Sequence, residues 1–93
     1  MLASAVPRYR STPPPEYPPA ARQQHQEGVV LLEVAVGADG RPGQIGVKQS
    51  SGFPLLDRAA VTAVHRWTFE PARTAGLPVE SHVEIPIRFR LTD

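Results

Sequence analysis

Cysteine is absent from the 93 residues. That excludes a disulfide framework, a thiolate nucleophile and a thiolate metal site, and it leaves the redox compartment open. Charge of one sign is also scarce: ten basic and nine acidic residues leave a net charge of +1, too little for a broad field directed at nucleic acid or an anionic membrane. No apolar run is long enough to cross a bilayer, and no signal-peptide pattern stands out. Action outside the cytoplasm would therefore depend on a delivering segment N-terminal to these residues. A chain of this length makes one small domain that buries about 60–65% of its unfolded surface. A compact core is expected, and no large active-site cavity.

What the chain does contain is most regular at its end. Residues 79–91 read V-E-S-H-V-E-I-P-I-R-F-R-L, with Val83, Ile85, Ile87, Phe89 and Leu91 apolar and Glu84, Pro86, Arg88 and Arg90 between them. A period of two sustained over this length predicts a half-buried β-strand. Pro86 has no N–H to give a ladder, which places the strand at the rim of its sheet with one row of backbone groups unpaired. An open rim is either an aggregation hazard or a docking edge.

Taken in order, residues 1–15 hold Pro7, Pro13, Pro14 and Pro15. Together with Pro18 and Pro19 they favour extended polyproline backbone, either as a flexible leader or as a stiff spacer. A short helix follows over P-A-A-R-Q-Q-H-Q-E-G, with Pro18 or Pro19 in its first turn and Gly28 expected at its C′ position. His25 has no second ligand at metal spacing and reads as a solvated residue. V-V-L-L-E-V-A-V is the most apolar run, with Val30, Leu32, Val34 and Val36 on one face, and it belongs at the centre of the sheet. G-A-D-G-R-P-G turns the chain into a second strand, with Ile45 and Val47 inward and Lys48 outward.

The next segment is helical, opened by Pro54 and expected to stop at Pro71. Leu56, Ala60, Ala63 and Trp67 fall on one face, flanked by Ala59 and Val64. Trp67 on that stripe reads as core rather than as a ligand platform.

Enzymatic readings find little support. Ser50, Ser51, Asp57, His65 and His82 do not form a nucleophile-elbow pattern, and Ser50-Ser51-Gly52 reads better as a turn into the helix. No catalytic residue is assigned. Glu80, His82 and Glu84 alternate along one strand face and read as solvated rather than as a metal site. Arg88 and Arg90 lack interleaved aromatics, so no nucleic-acid partner is expected, and neither a cofactor nor a small-molecule substrate is implied.

One ordered set of residues carries a family resemblance. Tyr17-Pro18, Ala21, Gly28, Asp39-Gly40, Ser50-Ser51-Gly52, Leu56-Asp57, Ala59-Ala60, Ala63-Val64, Trp67, Phe69, Pro71-Ala72, Gly76, Pro78-Val79, Pro86-Ile87 and Phe89 are similar to the C-terminal domain of the TonB family. The resemblance spans residues 17–91. It implies a periplasmic module that engages TonB-dependent outer-membrane transporters and conveys inner-membrane proton-motive energy for siderophore or nutrient uptake. It also implies ExbB/ExbD-like proton-channel partners and an inner-membrane anchor, both through a region N-terminal to these residues, of which only a stub of spacer is present. The other role it allows is a periplasmic interaction or sensory domain without energy transduction. Pro14 stands where the family often has glutamine, and it cannot supply that side chain's hydrogen bond.

The expected architecture is α+β, in the order β-β-α-β: a small three-stranded antiparallel or mixed sheet, a short N-terminal helix, and a longer helix on one face. Residues 1–15 are expected to form a Pro-rich linker stub and residues 16–93 the domain. Expected docking residues are Pro15, Glu16 and Tyr17 at the hinge between them. Along the last strand they are Glu84, Pro86, Arg88 and Arg90, with Ile85, Ile87 and Phe89, and an extended transporter segment would add there as a further strand.

Overall fold

The computed structural model describes residues 9–92. Residues 1–8 of the expected leader and Asp93 lie outside the described residues. Along the chain the elements are β1 (Tyr9–Ser11), α1 (Pro19–Gln23), β2 (Gly28–Val36), β3 (Pro42–Gln49), α2 (Pro54–Val64), β4 (Thr68–Phe69), β5 (Ala72–Thr74), β6 (Leu77–Val79) and β7 (Ser81–Phe89). The main sheet has the order β3-β2-β7 and is antiparallel throughout. The α+β expectation and the central position of the apolar strand both hold.

Alternation explains the sheet. Val30, Leu32, Val34 and Val36 of β2 are buried, as are Val83, Ile85, Ile87 and Phe89 of β7. The register sets Val30 against Ile87, Leu32 against Ile85 and Val34 against Val83, so each pair shares the inner face. α2 packs on that face against β2 and β3, contributing Leu56, Ala60, Ala63 and Val64. Alanine at two of these positions lets the helix axis approach the sheet closely.

Several boundaries differ from expectation, each for a local reason. The final strand begins at Ser81, not at residue 79. Val79 pairs with Ala72 in a separate β5–β6 hairpin, whose Ala75-Gly76 tip has φ of +51° and +81°. α2 ends at Val64 rather than continuing towards Pro71, because Arg66 and Trp67 donate their N–H groups to Ala63 and Val64 in tight three-residue turns. α1 also ends early. His25 rather than Gly28 takes the left-handed C′ position, at φ +54°. Its N–H bonds Arg22 O at 3.1 Å and that of Gln26 bonds Ala21 O at 2.9 Å, the two bonds of a Schellman motif.

Val47 points inward as expected but is not covered. It pairs with Leu32 and so lies on the inner face, as its parity predicted. It is nonetheless 43% exposed, because the residues of α2 cover the sheet centre more fully than its β3 rim.

Part of the expected leader packs on the domain. β1 pairs antiparallel with β4, and the Tyr9 ring stands edge-on to Trp67 at 5.4 Å and tilted against Phe69 at 5.7 Å. Trp67 is 8% exposed, and its indole N–H donates to Pro13 O at 2.8 Å. The reading of Trp67 as core holds, and part of its cover comes from the Pro-rich segment.

Gly40, in the β2–β3 turn, joins that turn to β4. Its φ is +83°, a side-chain Cβ there would lie 2.2 Å from Phe69 O, and its own carbonyl accepts the Phe69 N–H at 2.8 Å. Only glycine meets both demands.

Candidate functional site

β7 is paired on one side alone. Its nine residues run opposite β2 without a break in register, from Gly28↔Phe89 to Val36↔Ser81, and no strand adjoins its other side among the described residues. Pro86 faces Leu31. A residue without an N–H cannot exchange the paired bonds of a narrow antiparallel pair, so Pro86 and the even residues belong to the wide pairs. The odd residues then bond β2. The N–H groups of His82, Glu84 and Arg88, and the carbonyls of these and of Pro86, are directed to the open side.

Side chains divide in the same way. Ile85, Ile87 and Phe89 are core residues that anchor the strand, whereas Glu84, Pro86, Arg88 and Arg90 are exposed on the outer sheet face. Glu84 lies directly opposite Glu33, an unfavourable like-charge pair. Lys48 reaches across the central strand and bonds Glu84, and its ammonium pKa is raised by that hydrogen bond first, then by the charges of Glu84 and Glu33. With both side chains about half exposed, 50% and 47%, solvent screens the bridge and its contribution to stability is small. Its role is to relieve the Glu33–Glu84 repulsion.

The other edge is built differently. The β2–β3 register shifts twice, between Leu31 and Leu32 and between Val34 and Val36, and β3 carries Pro42, Gly43 and Gly46. Irregular register, proline and glycine all weaken an edge as a template for a further strand. Among the described residues β7 is the edge with an unbroken register, Pro86 being the one gap in its row of outward donors.

The expected hinge meets this strand. Tyr17 is half-buried, with its ring edge-on to Phe89 at 5.5 Å and 89°, and its hydroxyl donates to Gln26 O. Burial, followed by the charge of Glu27, raises its phenol pKa, and Arg22 opposes the shift from 5.1 Å above the ring. Pro15 is half-buried and Glu16 exposed beside it. Beyond the strand, Leu91 N–H donates to the Glu27 carboxylate at 2.7 Å, tying the end of β7 to the start of β2.

Of the residues weighed for catalysis, Ser50, Ser51 and Asp57 are engaged structurally, while His65 and His82 are exposed. Asp57 accepts bonds from the hydroxyls of Ser50 and Ser51 and from Ser51 N–H, the last at 3.0 Å. Burial alone would raise its pKa, but these bonds outweigh it and hold the carboxyl below its ordinary value. Among the described residues no group of three His, Asp or Glu side chains is placed to hold a metal. Sequence reasoning missed the Tyr9–Trp67–Pro13 cluster. The isolated Tyr9 was its only signal.

Comparison with known proteins agrees with this geometry. Residues 13–91 match the family described as Gram-negative bacterial TonB protein C-terminal. Protein tonB2 of Pseudomonas aeruginosa is 47% identical over 88 residues, covering 95% of this chain and 33% of that protein. Protein TonB of Vibrio cholerae is 39% identical over 77 residues, covering 83% and 32%. The chain thus spans about a third of the length of these relatives. The solution structure of the Pseudomonas aeruginosa TonB CTD superposes with a TM-score of 0.79 at 27% identity, covering 99% of this chain and 93% of that one. The Helicobacter pylori TonB-CTD gives 0.61 at 28% identity, covering 84% and 70%.

Proposed function

The chain belongs to the TonB C-terminal family, and from that premise we propose that it is a periplasmic docking module for TonB-dependent outer-membrane transporters. An extended transporter segment adds to the open side of β7, and load applied through the N-terminal segment is passed to it. In the longer protein that segment leads to an inner-membrane anchor and to ExbB/ExbD-like proton-channel partners, so that proton-motive energy reaches nutrient or siderophore uptake. The role requires no catalysis by the module. Residues 1–15 serve as the end of the spacer and residues 16–93 as the module, with the contacts of residues 9–15 holding the spacer's exit direction.

One observation carries the reading: the uninterrupted register of β7 against β2 beside an unpaired outer side. Backbone bonds of about 1 kcal/mol each supply the directional part of the affinity. Three donors and four acceptors, less the ordering cost, give only weak binding on their own. Packing against Pro15, Glu16 and Tyr17 and contacts with Glu84, Arg88 and Arg90 supply the remainder and the selectivity. A modest total suits a partner that must be released.

Isothermal titration with a synthetic peptide from the extended segment of a TonB-dependent transporter tests this. Arg88→Pro deletes an outward N–H and should weaken binding at least fivefold more than Arg88→Ala, with the fold of both variants verified by circular dichroism. N-methylation of alternate peptide amides should abolish binding in one register only. Equal affinities for the two folded variants, together with indifference to N-methylation, would remove β7 as the docking edge.

A further inference from the structure

A groove of about 370 Å³ lies between the proline segment and α2, away from the open edge of β7. Pro13, Pro14, Pro18 and Pro19 form one wall, and Leu55, Ala59 and Ala63 supply the apolar part of the other. Arg58, Thr62 and Arg66 follow one another at four-residue intervals along the same wall. Both arginines are exposed, and neither has an ion-pair partner among the described residues. The helix's own acid, Asp57, is committed to Ser50 and Ser51.

We propose that this groove is a second docking site, for an extended peptide carrying two carboxylates with an apolar side chain between them. The spacing follows from elementary geometry. Six residues of helical rise from Arg58 to Val64, and two of tighter turn beyond the helix end, put the Arg58 and Arg66 backbones about 13 Å apart, which an extended chain covers in about four residues. Residues i, i+2 and i+4 of such a chain share one face. Acids at i and i+4 therefore meet the two arginines, while the side chain at i+2 lies over Thr62 and the alanines. Glu16 on the facing wall repels acids at i+1 and i+3, so the pattern is acid-x-apolar-x-acid rather than a uniformly acidic run. Proline walls present a pre-ordered surface, and docking there costs little conformational entropy on the protein side.

The test is fluorescence anisotropy with the 93-residue chain and a fluorescein-labelled peptide of core Glu-Ala-Leu-Ala-Glu at low ionic strength. Saturable binding is expected, weakened at least tenfold by the Gln-Ala-Leu-Ala-Gln peptide, by the Arg58→Glu/Arg66→Glu variant, and by a peptide with its two acids adjacent. Thr62→Phe, which fills the middle of the groove, should also weaken binding. Equal binding of the glutamine peptide, or affinity unchanged by the double charge reversal, overturns the proposal. Binding of phosphatidylglycerol vesicles through the same arginines without binding of the peptide would overturn it in favour of a lipid surface. Should the double variant not fold, comparison of the glutamate and glutamine peptides on the unaltered chain decides alone.

Discussion

Replacing Gly40 by alanine isolates the contact that joins the β2–β3 turn to β4. The new methyl group would sit 2.2 Å from Phe69 O, against a practical minimum of 3.0 Å, and the obstacle is backbone that cannot rotate aside. Relief requires a retreat of about 0.8 Å, the difference between those two distances. The same movement would stretch the 2.8 Å Phe69 N–H to Gly40 O bond towards about 3.6 Å, beyond useful hydrogen-bond length. A left-handed alanine costs about 1–2 kcal/mol, and a stranded buried N–H adds about 1–3 kcal/mol. The sum, about 2–5 kcal/mol, is a large share of the stability of a domain this small. Gly76→Ala is the matched control: φ is also positive, at +81°, but nothing lies within 4 Å of its added methyl, so only the conformational part remains. Urea unfolding followed by Trp67 fluorescence should show a lower midpoint for Gly40→Ala than for Gly76→Ala at similar slope. Equal losses in the two variants would refute the close approach as the cause.

Three further outcomes are expected. Trp67→Ala should cost about 3–5 kcal/mol, and native Trp67 should emit in the blue, since it is 8% exposed; a water-like emission maximum would contradict its place in the core. Tyr9→Ala removes the ring that stands on Trp67 and should red-shift that emission while leaving the main sheet folded, as read by far-ultraviolet circular dichroism; an unchanged spectrum would refute the packing of β1 on β4. Asp57 has a depressed folded pKa, so its stabilisation is complete above the ordinary aspartate value of about 3.9 and is lost as pH falls through the folded value, where the unfolded chain binds the proton first. Asp57→Asn should flatten the stability profile over that acid window, and an unaltered slope would show that the Ser50 and Ser51 bonds do not stabilise the carboxylate.

Local information was enough for what depends on period and on single-residue chemistry. The alternation of β2 and β7 named the inner face residue by residue, because successive side chains in a strand must point to opposite sides. Pro86 identified the open rim, since the missing N–H is a property of the residue and not of its surroundings. Pro54 and the Pro18-Pro19 pair marked the helix starts through their preset φ, and the structure puts Pro19 at the first helical position. Family resemblance added the expected partner.

Tertiary structure alone decided what depends on distance along the chain. Nothing near Pro13 predicts that its carbonyl takes the Trp67 indole N–H, 54 residues away, or that Tyr9–Ser11 forms a strand on the two-residue β4. Segments so short carry no period, and their pairing is stabilised by the partner rather than by their own sequence. Val47 had the right parity but the wrong burial, because burial depends on how far α2 extends over the sheet and not on the alternation of β3. Gly40 was legible as a turn glycine, yet its closest demand comes from Phe69 O, a backbone atom brought to it by the fold. The groove beside Arg58 and Arg66 likewise exists only because the proline segment returns alongside α2, a juxtaposition set by the packing of Tyr17 on Phe89 and of Trp67 beneath Pro13.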